Sequence, residues 1–265
     1  MAQSDIHGSW ALVTGASSGL GVDFARELAA RGANLILVAR RNERLRVLAG
    51  EIKVNHPVEV DVEAIDLAVP DAAEALYQRL NEKGRSVEIL VNNAGFGVHG
   101  TFLDNSWRRE RDMIQVDVIA LVQLTKLFAA KMVKRGFGRI LQVASTAAFQ
   151  PVPTYAVYGA CKAFVLSFSE ALNYELRGSG VTCTVLAPGV TATEFQAVAG
   201  HPYSRYMRLT EMKSSDVARR GVEAMLSGRS SVVPGVHNAA VVASERLAPR
   251  RLLTALAGYF MRAGG

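Results

Sequence analysis

The sequence predicts an α/β fold: a doubly wound parallel sheet of about seven strands with helices on both faces, in one domain over residues 1–265. Three observations carry that expectation. Short apolar runs alternate with longer amphipathic segments, the pattern of successive βαβ units. A glycine-rich turn joins the first apolar run to the first amphipathic segment. No internal repeat or low-complexity linker divides the chain, and 265 residues at 49% hydrophobic can bury one substantial core.

Taken in order, "WALVTG" predicts the first strand, "FARELAARG" a helix, "NLILVAR" the second strand, "RLRVLAGEIK" a helix and "VEVDVEAI" the third strand. "DAAEALYQRLNEKG" is the third helix and "VEILVNNAG" the fourth strand, whose apolar run ends in polar residues and glycine. A long helix around Trp107 to Arg135 precedes the strand "GRILQVAS"; a helix carrying Tyr158 follows, then the sixth strand "VTCTVLAPG". After Gly189 the pattern loosens into an irregular stretch of about 190–212, rich in apolar and aromatic residues, and long loops of this kind are commonly functional. A helix near Ser214 to Leu226, a short strand at "SSVVPG" and a helical segment of about 246–262 complete the chain. In that last segment Leu252, Leu253, Leu256 and Phe260 make one helical stripe beside Arg246, Arg250, Arg251 and Arg262. Such a pattern fits a packing helix with a solvated basic face, with weak peripheral contact at a membrane surface as the alternative.

Composition narrows the function classes. Thirty Lys and Arg against 24 Asp and Glu give +6, but the basic residues are scattered and no basic stripe with interleaved aromatics speaks for nucleic acid. Cys161 and Cys183 are the only cysteines, without a CxxC, and fit a reducing compartment. The five histidines stand far apart, with no HExxH or Cys/His cluster, so no metal is expected. The N-terminus "MAQSDIHGSW" lacks a basic and apolar leader, and no uninterrupted apolar run approaches membrane-spanning length. A soluble, cytoplasmic protein with no integral membrane segment is the expectation.

The turn "VTGASSGLG" follows the first strand and opens the first helix, where backbone N–H groups and the helix dipole can receive a pyrophosphate. Gly15 suits the tight turn, Gly19 a close approach to phosphate and Gly21 close packing of helix on strand. About twenty residues on, NAD-binding folds commonly present a carboxylate to the ribose hydroxyls, whereas an arginine there accommodates a 2′-phosphate. Here the strand ends Ala39-Arg40-Arg41, so NADP(H) is expected in preference to NAD(H).

Tyr158 and Lys162 stand four residues apart, on neighbouring turns of one helical face. A phenol titrating near 10 needs help of about 3 units, roughly 4 kcal/mol, to exchange protons at pH 7. One unit charge at about 4 Å in an effective dielectric near 20 supplies roughly 4 kcal/mol. A lysine one turn away is thus sufficient in magnitude if its ammonium stays close; the plainer alternative is a core tyrosine beside a snorkelling lysine.

Several motifs in order make the chain resemble the short-chain dehydrogenase/reductase family over nearly its whole length: "TGASSGLG", "NNAG" at Asn92 to Gly95, Tyr158 with Lys162, Ser145 thirteen residues before the tyrosine, and "PGVTAT" after the sixth strand. The resemblance implies a Rossmann fold and hydride transfer between NADP(H) and a carbonyl or secondary alcohol. Tyr158 would be the general acid/base, Ser145 would hydrogen-bond the substrate oxygen, and Lys162 would lower the tyrosine pKa and grip the nicotinamide ribose. It further implies that Gly15, Ser17, Ser18, Gly19, Leu20 and Gly21 line the pyrophosphate and ribose and that Asp66 and Leu67 meet the adenine. Asn92, Ala94 and Gly95 would border the adenine ribose and hold the central strand, and Pro188, Gly189, Val190 and Thr193 would line the nicotinamide half. One position departs: where the family has asparagine in a V-N-V stretch, this chain has Val116-Asp117-Val118, and a carboxylate there can pair with Lys162 and weaken its pull on Tyr158.

Candidate substrate-bordering residues are Phe96, Val98, Phe149, Val152, Phe195, Tyr203 and Met207, mostly apolar, which implies a hydrophobic ketone, aldehyde or alcohol. The resemblance also implies a homodimer or homotetramer built on the long fourth and fifth helices. A second reading is a non-catalytic NADP(H)-binding scaffold or sensor of the same fold, which Asp117 favours and the joint presence of Ser145, Tyr158 and Lys162 opposes.

Overall fold

The computed structural model of the chain describes residues 6–202, 205–245 and 247–262, with the backbone alone for 205–206 and 260–262. Tyr203 and Arg246 therefore lie outside the described residues, as does the Phe260 side chain. The elements run β1 (Trp10–Thr14), α1 (Leu20–Ala30), β2 (Asn34–Ala39), α2 (Asn42–Asn55), β3 (Val60–Ala64), α3 (Ala72–Glu82), β4 (Val87–Asn92) and α4 (Trp107–Ile114). A π-helical turn (Gln115–Ala120) joins α4 directly to α5 (Leu121–Arg135), followed by β5 (Gly138–Val143), α6 (Ala156–Glu175), β6 (Val181–Leu186), α7 (Phe195–Ala199), α8 (Arg205–Thr210), α9 (Ser214–Leu226), β7 (Ser231–Val232), α10 (Val236–Glu245) and α11 (Arg250–Arg262).

The seven strands form one sheet in the order β3-β2-β1-β4-β5-β6-β7, and every pair is parallel. From Leu35 to Ala39 β2 is continuously apolar because helices cover both faces. Period-2 alternation divides the side chains. Ala11, Val13, Leu35, Leu37, Ile89 and Val91 pack with Phe24, Leu28, Leu45 and Val222 of α1, α2 and α9. Leu12, Ile36, Val38 and Leu90 face the other way, onto Leu76, Leu80, Leu124 and Phe128 of α3 and α5. β2 lies on one side of β1 and β4 on the other, so the chain reverses its winding there and leaves a crevice above the strand ends.

Three expectations change. The stretch of about 190–212 is not one irregular loop: it holds α7 and α8, short helices whose few turns give too little periodicity to read. A helix not expected, α10, precedes the C-terminal segment, and in α11 Leu252 and Leu256 are exposed while Leu253 and Ala257 are buried, so the leucines do not form one packing stripe. The continuous helix Trp107–Arg135, 29 residues long, is long and apolar enough by length and composition to cross a membrane. Half of its most apolar window is buried, and Val116, Ala120, Leu124, Phe128 and Met132, spaced by four, belong to the core beneath the sheet.

Candidate active site

Thr14, the last residue of β1, knits the crevice together. Its buried hydroxyl donates to the Val91 carbonyl at 3.2 Å and accepts from the N–H groups of Asn93 and Ala94, each at 2.9 Å. The Asn93 amide returns to the Thr14 carbonyl at 2.9 Å. The glycine turn fits against this seam. At Gly15 (φ 68°) an added Cβ would stand 2.8 Å from Asn93 Nδ2 and 2.9 Å from Ala94 Cα; at Gly19 (φ 54°) it would press on Thr193 at 3.0 Å. The cradle is therefore open only because both residues lack a side chain. Gly21 lets α1 lie on the turn, since its Cβ would be 2.2 Å from the Gly15 carbonyl oxygen.

The cleft above the seam encloses about 690 Å3, room for a dinucleotide's reactive half and a small substrate. Its wall brings together Gly15, Ser17, Ser18, Gly19, Leu20, Arg40, Arg41, Asp66, Leu67, Ala94 and Gly95 at one end. Ser145, Tyr158, Lys162, Pro188, Gly189, Val190 and Thr193 continue it toward the other. Asn92 is not part of this wall. Buried beneath it, the Asn92 amide donates to Thr125 Oγ1 at 2.9 Å and Gln142 Oε1 at 3.0 Å, so it holds the central strand β4 to α5 and β5, as expected, but does not border the cleft.

The arginines at the end of β2 diverge. Arg40 turns to Asp66, 3.7 Å away. Arg41 donates through Nε to Ser17 Oγ at 3.1 Å and through Nη1 to Glu194 Oε2 at 3.0 Å. Arg44 reaches the other oxygen of Glu194 at 2.7 Å. The two guanidiniums hold the Glu194 carboxyl below the usual carboxylate range. Neither Arg44 nor Glu194 was among the residues the sequence singles out, although Arg44 lies one helical turn beyond Arg41 and was findable from that spacing.

At the other end α6 presents Tyr158 and Lys162, both almost wholly buried. Lys162 Nζ lies 5.7 Å from the Tyr158 ring centre, donates to the Val143 carbonyl at 3.1 Å and stands 3.2 Å from Asp117 Oδ2. Asp117 sits in the π-helical turn, a distortion that recurs where helices carry functional groups. Its Oδ1 accepts the Phe96 N–H at 3.2 Å; among the described residues no hydrogen bond reaches Oδ2, which leaves the ammonium to compensate its burial. A Cβ on Gly95 would lie 2.7 Å from Asp117 Oδ1. The carboxylate of this departing position therefore does pair with the lysine.

Burial pushes the Tyr158 phenol above its ordinary 10, and this outweighs the opposing pull of Lys162; Asp117 adds to the rise, and Ser145 opposes it. One cation with an anion at 3.2 Å acts on the phenol as a dipole rather than as a bare charge. The expected lowering of the phenol by Lys162 is present, and burial outweighs it. Asp117 itself is raised by burial against the opposing effect of Lys162, and Lys162 is raised by its carboxylate neighbour against burial.

Phe96, Val152, Phe195 and Met207 line the cleft beside Tyr158, the Phe195 ring centre 5.3 Å from that of the tyrosine. Val98 is buried behind them, packed with Met113 and Tyr155. Phe149 belongs to a different cluster, with Leu121, Ala144 and Val165, and does not border the cleft. The sequence missed Tyr155 and His201, which line the same wall and share a hydrogen bond of 3.1 Å, and His99, stacked on His201 at 4.1 Å between ring centres. Burial first, and His99 second, push His201 down to about 4, so this polar patch is neutral at pH 7.

The geometry is a nucleotide-sized cradle continuous with a tyrosine, a lysine and a serine. The profile of the short chain dehydrogenase family matches residues 9–203. The chain belongs to the short-chain dehydrogenase/reductase family. It is 30% identical over 260 residues to mouse "17-beta-hydroxysteroid dehydrogenase type 3", covering 96% of this chain and 81% of that protein. A solved short-chain dehydrogenase from Sphingobium yanoikuyae in complex with NADPH superposes with a TM-score of 0.81 at 32% identity, over 92% of this chain and 95% of the other. A member from Burkholderia phymatum in complex with NAD gives 0.81 at 25% identity, over 92% and 94%. Oxidoreductase chemistry with a nicotinamide dinucleotide follows from membership, and of these two solved structures one holds NADPH and the other NAD.

Proposed function

We propose that this short-chain dehydrogenase/reductase interconverts a hydrophobic carbonyl compound and its secondary alcohol with NADP(H), using Tyr158 as the proton donor and acceptor. The observation that carries the reading is the convergence of Ser145, Tyr158 and Lys162 on the same cleft wall as the glycine cradle. The nicotinamide, when bound, supplies or accepts the hydride. Gly15 and Gly19 keep the cradle open to the pyrophosphate, and Lys162, hydrogen-bonded to the Val143 carbonyl and ion-paired with Asp117, lines the cleft where it can meet the nicotinamide ribose. Tyr158 gives its hydroxyl proton to the carbonyl oxygen, and the Ser145 hydroxyl donates a hydrogen bond to the same oxygen as charge develops there. A phenol held above 10 is protonated at pH 7, the form that reduction needs.

The absence of a carboxylate at the end of β2, with Arg40, Arg41 and Arg44 gathered there, supports the phosphorylated dinucleotide. Arg41→Ala should weaken NADPH by at least about tenfold and leave NADH nearly unchanged in a fluorescence titration; equal losses would remove the preference. Apolar Phe96, Val152, Phe195 and Met207, with a relative named for hydroxysteroids, support a bulky apolar substrate. The test is NADPH oxidation across a panel of small aldehydes, aliphatic ketones and ketosteroids. Turnover confined to small polar carbonyls would reject the substrate class, and binding without turnover on any of them would favour the non-catalytic scaffold. Two free, buried cysteines support a reducing, cytoplasmic setting, and exposed Ile119 beside α5 with Phe164 on α6 support a homo-oligomer joined through those helices.

A further inference from the structure

Glu194 directly follows Thr193, which packs against the glycine turn, and directly precedes Phe195, which packs on Tyr158. Its two carboxylate oxygens each take one guanidinium, Arg41 at 3.0 Å and Arg44 at 2.7 Å. Arg41 is also anchored to Ser17 in the glycine turn. The bridge therefore spans the cleft from the start of α2 to the segment after β6. Three guanidiniums meet two carboxylates here, since Arg40 faces Asp66. A 2′-phosphate brings about −1.5 to −2 charges and three acceptor oxygens, against one charge and two oxygens on Glu194.

We infer that Glu194 is a specificity-determining residue of the nucleotide site: its carboxylate holds the Arg41 and Arg44 donors that a ribose 2′-phosphate takes, so a 2′-phosphate displaces it and a 2′-hydroxyl does not. The inference rests on the NADP(H) reading above and adds a built-in competitor to it. Displacement also unties the segment that carries Phe195, which links the adenosine end of the cleft to the wall beside Tyr158.

The test is calorimetric binding of adenosine 2′,5′-bisphosphate and adenosine 5′-monophosphate at one ionic strength, on wild type, Glu194→Gln and Arg41→Ala. Removing the competing charge from two partly exposed ion pairs should tighten the bisphosphate about three- to tenfold in Glu194→Gln and leave the monophosphate unchanged. A bisphosphate affinity that is unchanged or weaker, or an equal gain for both ligands, overturns the inference, because Glu194 would then be a scaffold or a tether. The NADP(H) reading fails separately, if Arg41→Ala weakens both nucleotides equally. Thermal melting of Glu194→Gln, an exposed position, checks that the variant is folded.

Discussion

Asp117 stands where the family resemblance leads one to expect asparagine, and its carboxylate lies against Lys162. It raises the Tyr158 phenol and the Lys162 ammonium alike. In Asp117→Asn the anion is gone, Lys162 acts on the phenol unopposed, and the phenol pKa falls. The alkaline rise of alcohol oxidation, which needs the phenolate, should then move to lower pH, together with the alkaline fall of carbonyl reduction. Profiles of kcat/KM against pH for both directions check this; an unmoved pair of limbs would mean that Asp117 only packs. Leaving a buried ammonium without its partner should also cost about 3–5 kcal/mol, less whatever the Asn oxygen restores. The pairing was legible in the sequence as a departure, because a substituted motif position names its own neighbour. That burial outweighs the lysine's pull on the phenol was not legible, since burial enters only with the fold.

Among the elements, α6 starts under strain. Thr154, two residues before it, has φ 68°, a left-handed conformation costly for a β-branched side chain, and its buried Oγ1 has no hydrogen bond among the described residues. The Gly100 N–H, at 2.9 Å from the Thr154 carbonyl, holds that geometry. Thr154→Gly should relieve both costs, less the entropy that glycine loses on folding, for a net gain of about 1 kcal/mol and a melting temperature higher by roughly 2–4 °C. A lower melting temperature would show that the hydroxyl or the Cβ holds the entry to α6. Long elements such as α6 and α9 could be read from their periodicity, and the five interior strands from their apolar runs. α7 and α8 could not, being one or two turns whose place is set by packing over the cleft. The same limit hid Tyr155 and His201, which meet only when the segment after β6 folds back onto the start of α6.

For the molecule as a whole, two buried groups set opposing slopes of stability with pH. His201 titrates at about 4 when folded against 6.5 in the unfolded chain, so the unfolded chain alone gains a proton below 6.5 and stability falls as pH drops toward 4. Glu245, pushed by burial to about 7 from 4.5, keeps a proton in the folded state that the unfolded chain has released, so stability falls as pH rises from about 4.5 through 7. Denaturant titrations across pH 4.5 to 6.5 should show His201→Gln gaining stability toward acid relative to wild type, and Glu245→Gln losing it; parallel profiles would refute both assignments. The doubly wound sheet was readable from alternation alone, and the cleft's position followed from its strand order. The substrate-side wall was read only in part, because Phe149 and Val98 share the apolar character of Phe195 and Phe96, and only the fold decides which of them faces the cleft.

The central claim is that one phenol in this cleft moves the proton while the cradle beside it holds the dinucleotide. It is tested most directly in Tyr158→Phe, by titrating NADPH and then following its oxidation with a hydrophobic ketone. The account predicts a dissociation constant within about twofold of wild type and a kcat lower by roughly 10²- to 10⁴-fold. A kcat within about tenfold of wild type would contradict it.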